Sequence, residues 1–210
     1  MKVGYYSCRK CGGILQVDYD YQRLSAKLKP RVIRKKGIGV WRYREFLPIQ
    51  DHLKVISLHE GGTKLLQCKR LGRKLGIEKL YIKDETTNPT ASFKDRPVTV
   101  AVTKAKEFSV KTVVAASSGN AGASLSAYAA RAGIDCWIFA PAGTPQEKTC
   151  QVRAHGSKLV IVNGTYSDAF ELAKTCTEEL EWFNVTSTFF NPYTVEGNKT
   201  VGYEILEQLH

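Results

Sequence analysis

Apolar and polar positions alternate regularly over the second half of the chain. After Lys94, short apolar runs bounded by Gly and Pro are separated by longer segments whose apolar positions recur at helical spacing. The pattern predicts helices near 95–108, 121–132, 145–155, 166–182 and 196–209, and strands at 112–116, 136–139, 159–162 and 188–190. This alternation is typical of an α/β fold, a parallel twisted sheet with right-handed crossovers and helices on both faces.

The same pattern indicates where a ligand would bind. In open parallel sheets, ligands lie beyond the C-terminal ends of the strands. We therefore expect functional residues in the loops after residues 116 and 190, and in the loop before the helix at 95.

The first half of the chain is less regular. Residues 63–75 place leucines at helical spacing and predict a helix, and residues 80–82 predict a short strand. Residues 18–50 are rich in Tyr, Lys and Arg with little periodicity. They end in an aromatic segment at 40–48, which predicts an extended arm that docks by its aromatic side chains.

Length and composition fit an ordinary globular protein. The 210 residues are 43% hydrophobic and 24% charged, which suits one large domain or two small ones. No apolar run approaches the roughly 20 residues that span a bilayer, and Met1–Cys11 lacks the apolar stretch of a signal peptide. We expect a cytoplasmic protein without a membrane partner.

The net charge of +11 would suit a nucleic-acid partner, but the basic residues are scattered. Only residues 34–36 form a consecutive basic triplet. We interpret the charge as a solvated basic surface on an enzyme of anionic substrates. The six cysteines, without a secretory signal, are expected to be reduced thiols.

Cys8 and Cys11, followed by two glycines, have the spacing of a zinc knuckle. A structural zinc needs four ligands, and no second Cys-x-x-Cys follows in the sequence. The pair is therefore either half of a zinc site or a reduced pair on a hairpin.

One lysine lies between a turn and the start of a predicted helix, in the segment 88–96. A helix N-terminus favours the neutral, nucleophilic form of an amine and attracts anions. Lys94 therefore suits imine chemistry with a carbonyl cofactor. The alternative is an ordinary exposed lysine at the start of a helix.

Two further loops carry polar groups between a strand and a helix. Residues 116–122 present hydroxyls, a carboxamide and backbone N–H groups, which predicts an anion cradle. The segment has neither the P-loop ending nor the dinucleotide fingerprint, and a capping turn without a ligand is the alternative. Residues 191–200 form a weaker candidate, which a turn and a capped helix also explain.

Four motifs occur in the order found in threonine synthases, within the fold type II (β-family) group of pyridoxal-phosphate enzymes. They are Glu60-Gly-Gly-Thr63, Asn88-Pro-Thr-Ala-Ser-Phe-Lys-Asp-Arg96, Ser117-Ser-Gly-Asn-Ala121 and Asn191-Pro-Tyr-Thr-Val-Glu-Gly-Asn-Lys-Thr200. The knuckle and the segment 40–43 also resemble the N-terminal extension of archaeal-type members. The resemblance covers nearly the whole chain.

The resemblance implies roles for named residues. Lys94 would form the Schiff base with pyridoxal 5′-phosphate, with Phe93 beside the cofactor and Asn120 bonded to its phenolic oxygen. The substrate would be O-phospho-L-homoserine, converted by β,γ-replacement into L-threonine and phosphate. The remaining implied contacts are with the substrate carboxylate, by Ser117, Ser118, Gly119 and Ala121, and with its phosphate, by Ser92, Asn191 and Lys199. Lys94, once free, would act as general base and acid.

This chain departs from the family pattern at two positions in the lysine motif. Ala91 replaces the usual glycine and disfavours a positive φ, and Pro97 removes a backbone donor in the early helix. The glycine-rich loop for the cofactor phosphate, and the Ser or Thr facing the pyridine nitrogen, would both come after His210.

The resemblance also implies a domain organisation. We expect a knuckle and arm at 1–50, part of a large domain at 51–94, a nearly whole small domain at 95–200 and a truncated return at 201–210. A homodimer or a complementing C-terminal chain would complete the protein. The alternatives are another fold type II enzyme, such as a cysteate synthase or a threonine or serine dehydratase, or a non-catalytic truncated paralogue or split subunit.

Overall fold

A four-stranded parallel sheet lies at the centre of the molecule. The computed structural model describes residues 6–8, 10–27, 29–186 and 191–209. The strands are β3 (Thr112–Ala116), β4 (Asp135–Pro141), β5 (Lys158–Val162) and β6 (Phe183–Asn184), in the order β5-β4-β3-β6. All three pairings are parallel, with Val114 opposite both Trp137 and Asn184.

Five helices accompany the sheet, and those that pack on its strands explain why the strands are apolar. The five helices are α4 (Asp95–Glu107), α5 (Asn120–Ala132), α6 (Gln146–Ala154), α7 (Tyr166–Glu179) and α8 (Pro192–Leu209). Val113 and Ala115 pack in the core cluster that includes residues of α4, α5 and α6, whereas Val114 and Ala116 pack with residues of α7. Since successive strand residues face opposite sides, both faces of the sheet are buried, as predicted.

A separate antiparallel pair precedes the sheet. Its strands are β1 (Leu65–Gln67) and β2 (Tyr81–Lys83), with Leu66 opposite Ile82, and the helix α3 (Lys69–Leu75) connects them. The predicted helix at 63–75 is therefore wrong in its first part. The leucines at 65 and 66 fit either period, and pairing with β2 selects the strand.

The N-terminal arm is helical instead of extended. It contains α1 (Tyr21–Lys27), α2 (Pro30–Arg34) and a 3₁₀ segment, Val40–Phe46. Tyr43 is buried, and its ring lies 5.4 Å from that of Tyr203. The predicted aromatic docking is confirmed, but the predicted extended shape is wrong.

Most predicted elements after residue 94 are confirmed, with differences at their ends. Helix α8 begins at Pro192 instead of residue 196, because Pro fits the first helical position and Asn191 Oδ1 accepts the N–H of Tyr193 at 2.9 Å. The short strand β6 was not predicted, and α7 ends three residues before the predicted 182. The predicted strand at 188–190 lies outside the described residues.

Candidate functional site

The topology gathers the three predicted loops at one edge of the sheet. Helix α4 leads into β3, whereas α5 follows β3 and α8 follows β6. Helices run back against parallel strands, so all three helix N-termini lie at the C-terminal edge. This edge brings together Lys94, Gly119 and Asn191, the residues that directly precede the three helices.

Lys94 is the N-cap residue of α4 and is partly buried. Burial lowers the pKa of its amine below the ordinary value. Within the described part of the chain, no residue accepts a hydrogen bond from Lys94 Nζ, which lies 4.6 Å from the centre of the Phe93 ring. The site therefore holds a desolvated amine at a helix N-terminus, available to a carbonyl group.

The two departures in the lysine motif have different outcomes. Ala91 has φ 57°, so the left-handed conformation is kept without glycine. Pro97 is the third residue of α4, where a backbone N–H has no partner inside the helix. Neither residue prevents the turn before Lys94 from forming, but Ala91 holds it at a cost in backbone strain.

The loop after β3 forms a partly open cradle. Ser117 Oγ accepts the N–H groups of Gly122 at 2.9 Å and Gly119 at 3.3 Å, so this hydroxyl shapes the loop from inside. Asn120 is exposed, and no side chain caps α5. Among the described residues, the N–H groups of Ser118, Asn120 and Ala121 have no acceptor. Three free donors at a helix N-terminus suit an anion.

Two residues predicted to contact the substrate phosphate have polar partners within the chain. Asn191 is fully buried, and its Nδ2 donates to the carbonyl of Asn184 at 2.7 Å. Lys199 pairs with Glu196 at 2.5 Å and lies 5.1 Å from the Tyr19 ring. Burial alone would lower the pKa of Lys199, but the hydrogen bond and charge of Glu196 raise it overall. Asn191 is held inside the fold, whereas the Lys199 side chain is partly exposed. Both substrate contacts stay predictions.

The remaining predicted phosphate contact, Ser92, is buried in the turn before α4, where its hydroxyl accepts the N–H of Lys94 at 3.3 Å. Its main role in the structure is to shape this turn. The substrate contact stays a prediction.

Sequence reasoning assigned no role to the residue that follows Lys94. Asp95 is fully buried, and its carboxylate accepts hydrogen bonds from the N–H and hydroxyl of Thr90 and from the hydroxyl of Ser124. In the sequence, the only feature of Asp95 that points to such a role is its position directly after Lys94. The structure thus links the lysine loop to α5.

Arg96 is a second residue of the motif whose role was missed. Its guanidinium is fully buried between Glu85 and Glu204, with N···O distances of 2.6–2.8 Å to the two carboxylates. Glu204 also binds Lys83 at 2.8 Å. The ion pairs of Arg96 with Glu204 and Glu85 join α4 to α8 and to the segment before the lysine loop.

The cysteine knuckle forms a hairpin. Cys8 donates its N–H to the carbonyl of Gly13 at 2.7 Å, and Gly12 donates to the carbonyl of Cys8 at 2.8 Å. Backbone hydrogen bonds from Lys10 and Cys11 lower the pKa of the Cys8 thiol. Over the described ranges, no group of three or more metal-ligating side chains occurs. The zinc half-site stays a prediction.

No helix in the described part of the chain has the length and apolar character needed to cross a membrane.

Known proteins resemble this chain in sequence and in fold. Threonine synthase of Methanocaldococcus jannaschii is 44% identical over 206 residues, which cover 98% of this chain and 50% of that protein. The processed form of threonine deaminase isoform 2 from Solanum lycopersicum has a TM-score of 0.61 at 29% identity, over 70% of this chain and 40% of that one. Diaminopropionate ammonia lyase from Escherichia coli, with an aminoacrylate-PLP intermediate, reaches 0.67 at 20% identity, covering 79% and 46%.

These comparisons confirm the fold class and identify the family. The chain spans about half the length of the curated relatives it matches. The family model for "Pyridoxal-phosphate dependent enzyme" matches residues 56–210, a segment that contains Lys94 and the loop 117–121. This chain therefore belongs to the family of pyridoxal-phosphate dependent enzymes.

Proposed function

We propose that this chain carries the lysine-bearing part of an enzyme that converts O-phospho-L-homoserine and water into L-threonine and phosphate. The observation that carries the proposal is the desolvated Lys94 amine at the N-terminus of α4, beside an anion cradle at the N-terminus of α5. The 44% identity to a threonine synthase supports this reaction over others in the family.

The residues present fit pyridoxal phosphate. Burial lowers the pKa of the Lys94 amine and so favours the neutral form that attacks an aldehyde, and among the described residues Lys94 Nζ has no competing acceptor. Phe93 is exposed beside it, and the Asn120 carboxamide is exposed at the start of α5. Lys94, Phe93 and Asn120 would hold the cofactor, which supplies an electron sink for the substrate when bound.

The chain's own groups then divide the remaining work. The N–H groups of Ser118, Asn120 and Ala121 bind the substrate carboxylate at the positive end of α5. Ser117 and Gly119 give the loop its shape through their mutual hydrogen bond. Lys94 Nζ, when not bonded to the cofactor, takes and returns protons on the substrate carbons, a role that its lowered pKa favours.

A labelling experiment tests the cofactor assignment. Pyridoxal phosphate is added to the purified chain, the imine is reduced with borohydride, and mass spectrometry locates the modified lysine. We expect modification at Lys94 and loss of the visible absorbance band in Lys94→Ala. Lys79→Ala, which removes an exposed lysine, is the matched control and should behave like the native chain. Modification spread evenly over exposed lysines would overturn the assignment.

The choice of substrate separates the two enzyme hypotheses, a threonine synthase and a threonine or serine dehydratase. O-phospho-L-homoserine should shift the visible band and release inorganic phosphate, whereas L-serine and L-threonine should not. A response to L-threonine alone would favour the dehydratase alternative, which the similarity to threonine deaminase supports.

A split or truncated protein is the second candidate, and a specific surface favours it. In the described part of the chain, β1 and β2 pair only with each other. Large apolar side chains that are 37–59% exposed cluster on the unit β1–α3–β2: Leu66, Leu71, Leu75, Ile77, Tyr81 and Ile82. Such a face suits a complementing chain or a second copy.

Light scattering tests this candidate. The chain alone should self-associate or bind a hydrophobic dye, and Leu71→Lys should reduce either effect. Leu53→Lys, at a side chain that is 97% exposed outside this unit, is the control. A monomer that binds no dye would rule out an uncovered partner surface. The domain bounds given above and the cytoplasmic location stay predictions.

A further inference from the structure

Asp95 makes three short hydrogen bonds through one buried carboxylate. Its Oδ2 accepts the backbone N–H of Thr90 at 2.7 Å, and its Oδ1 accepts the hydroxyls of Thr90 and Ser124, each at 2.6 Å. The side chain is fully buried. Burial raises the pKa of Asp95, and the bonds from Ser124 and Thr90 offset part of that increase. A carboxylate that accepts this many hydrogen bonds holds the donor residues in place.

The donors come from the two elements that form the candidate site. Thr90 belongs to the loop that ends at Lys94, and Ser124 lies one turn after Asn120 on α5. The Asp95–Ser124 bond therefore links the turn that carries Lys94 to the first part of α5. A second direct bond between the two helices, from Lys106 Nζ to the Ala132 carbonyl at 2.9 Å, lies at their opposite ends. The Asp95–Ser124 bond is therefore the one nearer to Lys94.

A second buried carboxylate holds the next turn of α5. Tyr128 lies four residues after Ser124 and donates its hydroxyl to Glu60 Oε2 at 2.6 Å. Glu60 is itself buried and accepts the indole N–H of Trp41 at 2.9 Å. Because residues four apart share one helix face, α5 is anchored at two successive turns. Asp95 is the anchor nearer to Lys94.

We infer that Asp95 is a positioning residue that holds Lys94 against the N-terminus of α5 and keeps its amine partly desolvated. The consequence for the reaction rests on the proposed function. The effect on the Lys94 amine does not, because burial of the amine is a property of this chain alone. A residue that only stabilised the start of α4 would not need Ser124.

The test uses two buried serines of the same helix. Ser124→Ala removes the bond to Asp95, whereas Ser126→Ala removes a hydroxyl that donates to Gly122 within α5. Both side chains are fully buried, so the two changes are matched in burial and volume. The pKa of Lys94 is measured by competitive acetylation with acetic anhydride over neutral to alkaline pH, followed by mass spectrometry of its peptide.

In Ser124→Ala we expect the Lys94 amine to become more hydrated, so that its pKa rises and its acetylation rate at neutral pH falls about threefold or more. Ser126→Ala should match the native chain. Thr90→Val, which removes the other hydroxyl on Asp95 Oδ1, should change Lys94 in the same direction and serves if Ser124→Ala does not fold. Thermal unfolding confirms that each variant is folded.

Each outcome decides the inference. Unchanged Lys94 reactivity in Ser124→Ala and Thr90→Val, or an equal change in Ser126→Ala, would overturn it. Acetylation needs no cofactor, so the proposed function fails separately if native Lys94 does not react with pyridoxal phosphate. A shift in Ser124→Ala then still establishes the positioning role.

Discussion

At the scale of single residues, Ala91 has a strained backbone conformation in the turn that precedes Lys94 and α4. It is an exposed residue with φ 57°, a conformation that costs an L-residue roughly 1–2 kcal/mol relative to glycine. Ala91→Gly should therefore raise the free energy of unfolding by about 1 kcal/mol, since part of the gain is lost to the greater entropy of glycine in the unfolded chain. Urea denaturation measures the change.

The matched control is the same substitution in a helix. Ala130 is an exposed residue of α5 with ordinary helical surroundings. Ala130→Gly should lower the free energy of unfolding by about 0.5–1 kcal/mol. If both substitutions destabilise the chain, the left-handed conformation at Ala91 carries no strain and this reading of the turn is wrong.

Lys94 gives a pH-dependent prediction at the same scale. Burial lowers its pKa below the ordinary 10.5, so the unfolded state binds more protons between the two values. The native chain should then become more stable as pH rises through this window, and Lys94→Met should lack that part of the increase. Lys94→Met should be the more stable form at neutral pH, with the difference shrinking toward pH 10.5.

Unfolding free energies at a series of pH values check this. Lys79→Met, at an exposed side chain, is the control and should follow the native curve. A constant difference between Lys94→Met and the native chain at all pH values would show that desolvation of the amine is not the cause.

At the scale of elements, the contact between α8 and α4 depends on one glycine. A Cβ on Gly197 would lie 2.3 Å from the carbonyl oxygen of Arg96 and 2.6 Å from Cα of Pro97. Both are backbone atoms of α4, so the helices must separate to admit a methyl group. Gly197→Ala should cost at least about 2 kcal/mol in thermal or chemical unfolding.

Gly202, on the same helix, provides the opposite expectation. No atom lies within 4 Å of a Cβ placed there. Gly202→Ala should stabilise the chain by about 0.5–1 kcal/mol, because alanine is the better helix former. Equal effects of the two substitutions would mean that α8 does not press against α4 at Gly197.

The strands also differ in how well the sequence pattern predicts them. Strands β3, β4 and β5 are short apolar runs, and β3 and most of β4 are buried, whereas β5 at the edge of the sheet is partly exposed. Such runs are readable from a single sequence. β6 has two residues, too few for a period to appear. β1 was mistaken for helix because its partner β2 is more than ten residues away, and local spacing carries no information on that pairing.

For the candidate site, the sequence indicates the loops that come together but not the hydrogen bonds that their side chains make. Lys94 and the loop 117–121 could be located because both precede a helix N-terminus, where the chemistry of anions and amines is known in advance. Asn191 looked similar, yet its amide serves β6 and α8. Whether a polar side chain faces a ligand or the interior depends on tertiary packing, which the sequence does not display.

At the scale of the whole molecule, one buried arginine connects segments far apart in the sequence. Arg96 binds Thr63 and Glu85 on one side and Thr200 and Glu204 on the other. Burial alone would raise the pKa of both carboxyls, but the hydrogen bonds and charge of Arg96 lower it. The four groups hold the segment before the lysine loop, α4 and α8 as one unit.

Arg96→Met should destabilise the chain by about 3–5 kcal/mol at neutral pH, because it leaves the buried Glu204 and the partly buried Glu85 without their main partner. In the native chain, the stability from Glu85 and Glu204 is present above pH 4.5 and is lost as the pH falls below it. The difference between native and Arg96→Met should therefore shrink in acid. Denaturant titrations at neutral and acidic pH measure both values.

Arg44→Met is the control for the change of side chain alone. Arg44 is 51% exposed and pairs with Glu45 at 3.5 Å, and a surface pair of this kind contributes at most about 1 kcal/mol. An effect at Arg44 that is small at every pH, beside a large effect at Arg96 that fades in acid, would establish the buried charges as the connection. An Arg96→Met effect that persists unchanged in acid would instead assign the loss to packing of the side chain, and the segments would be held together by shape rather than charge.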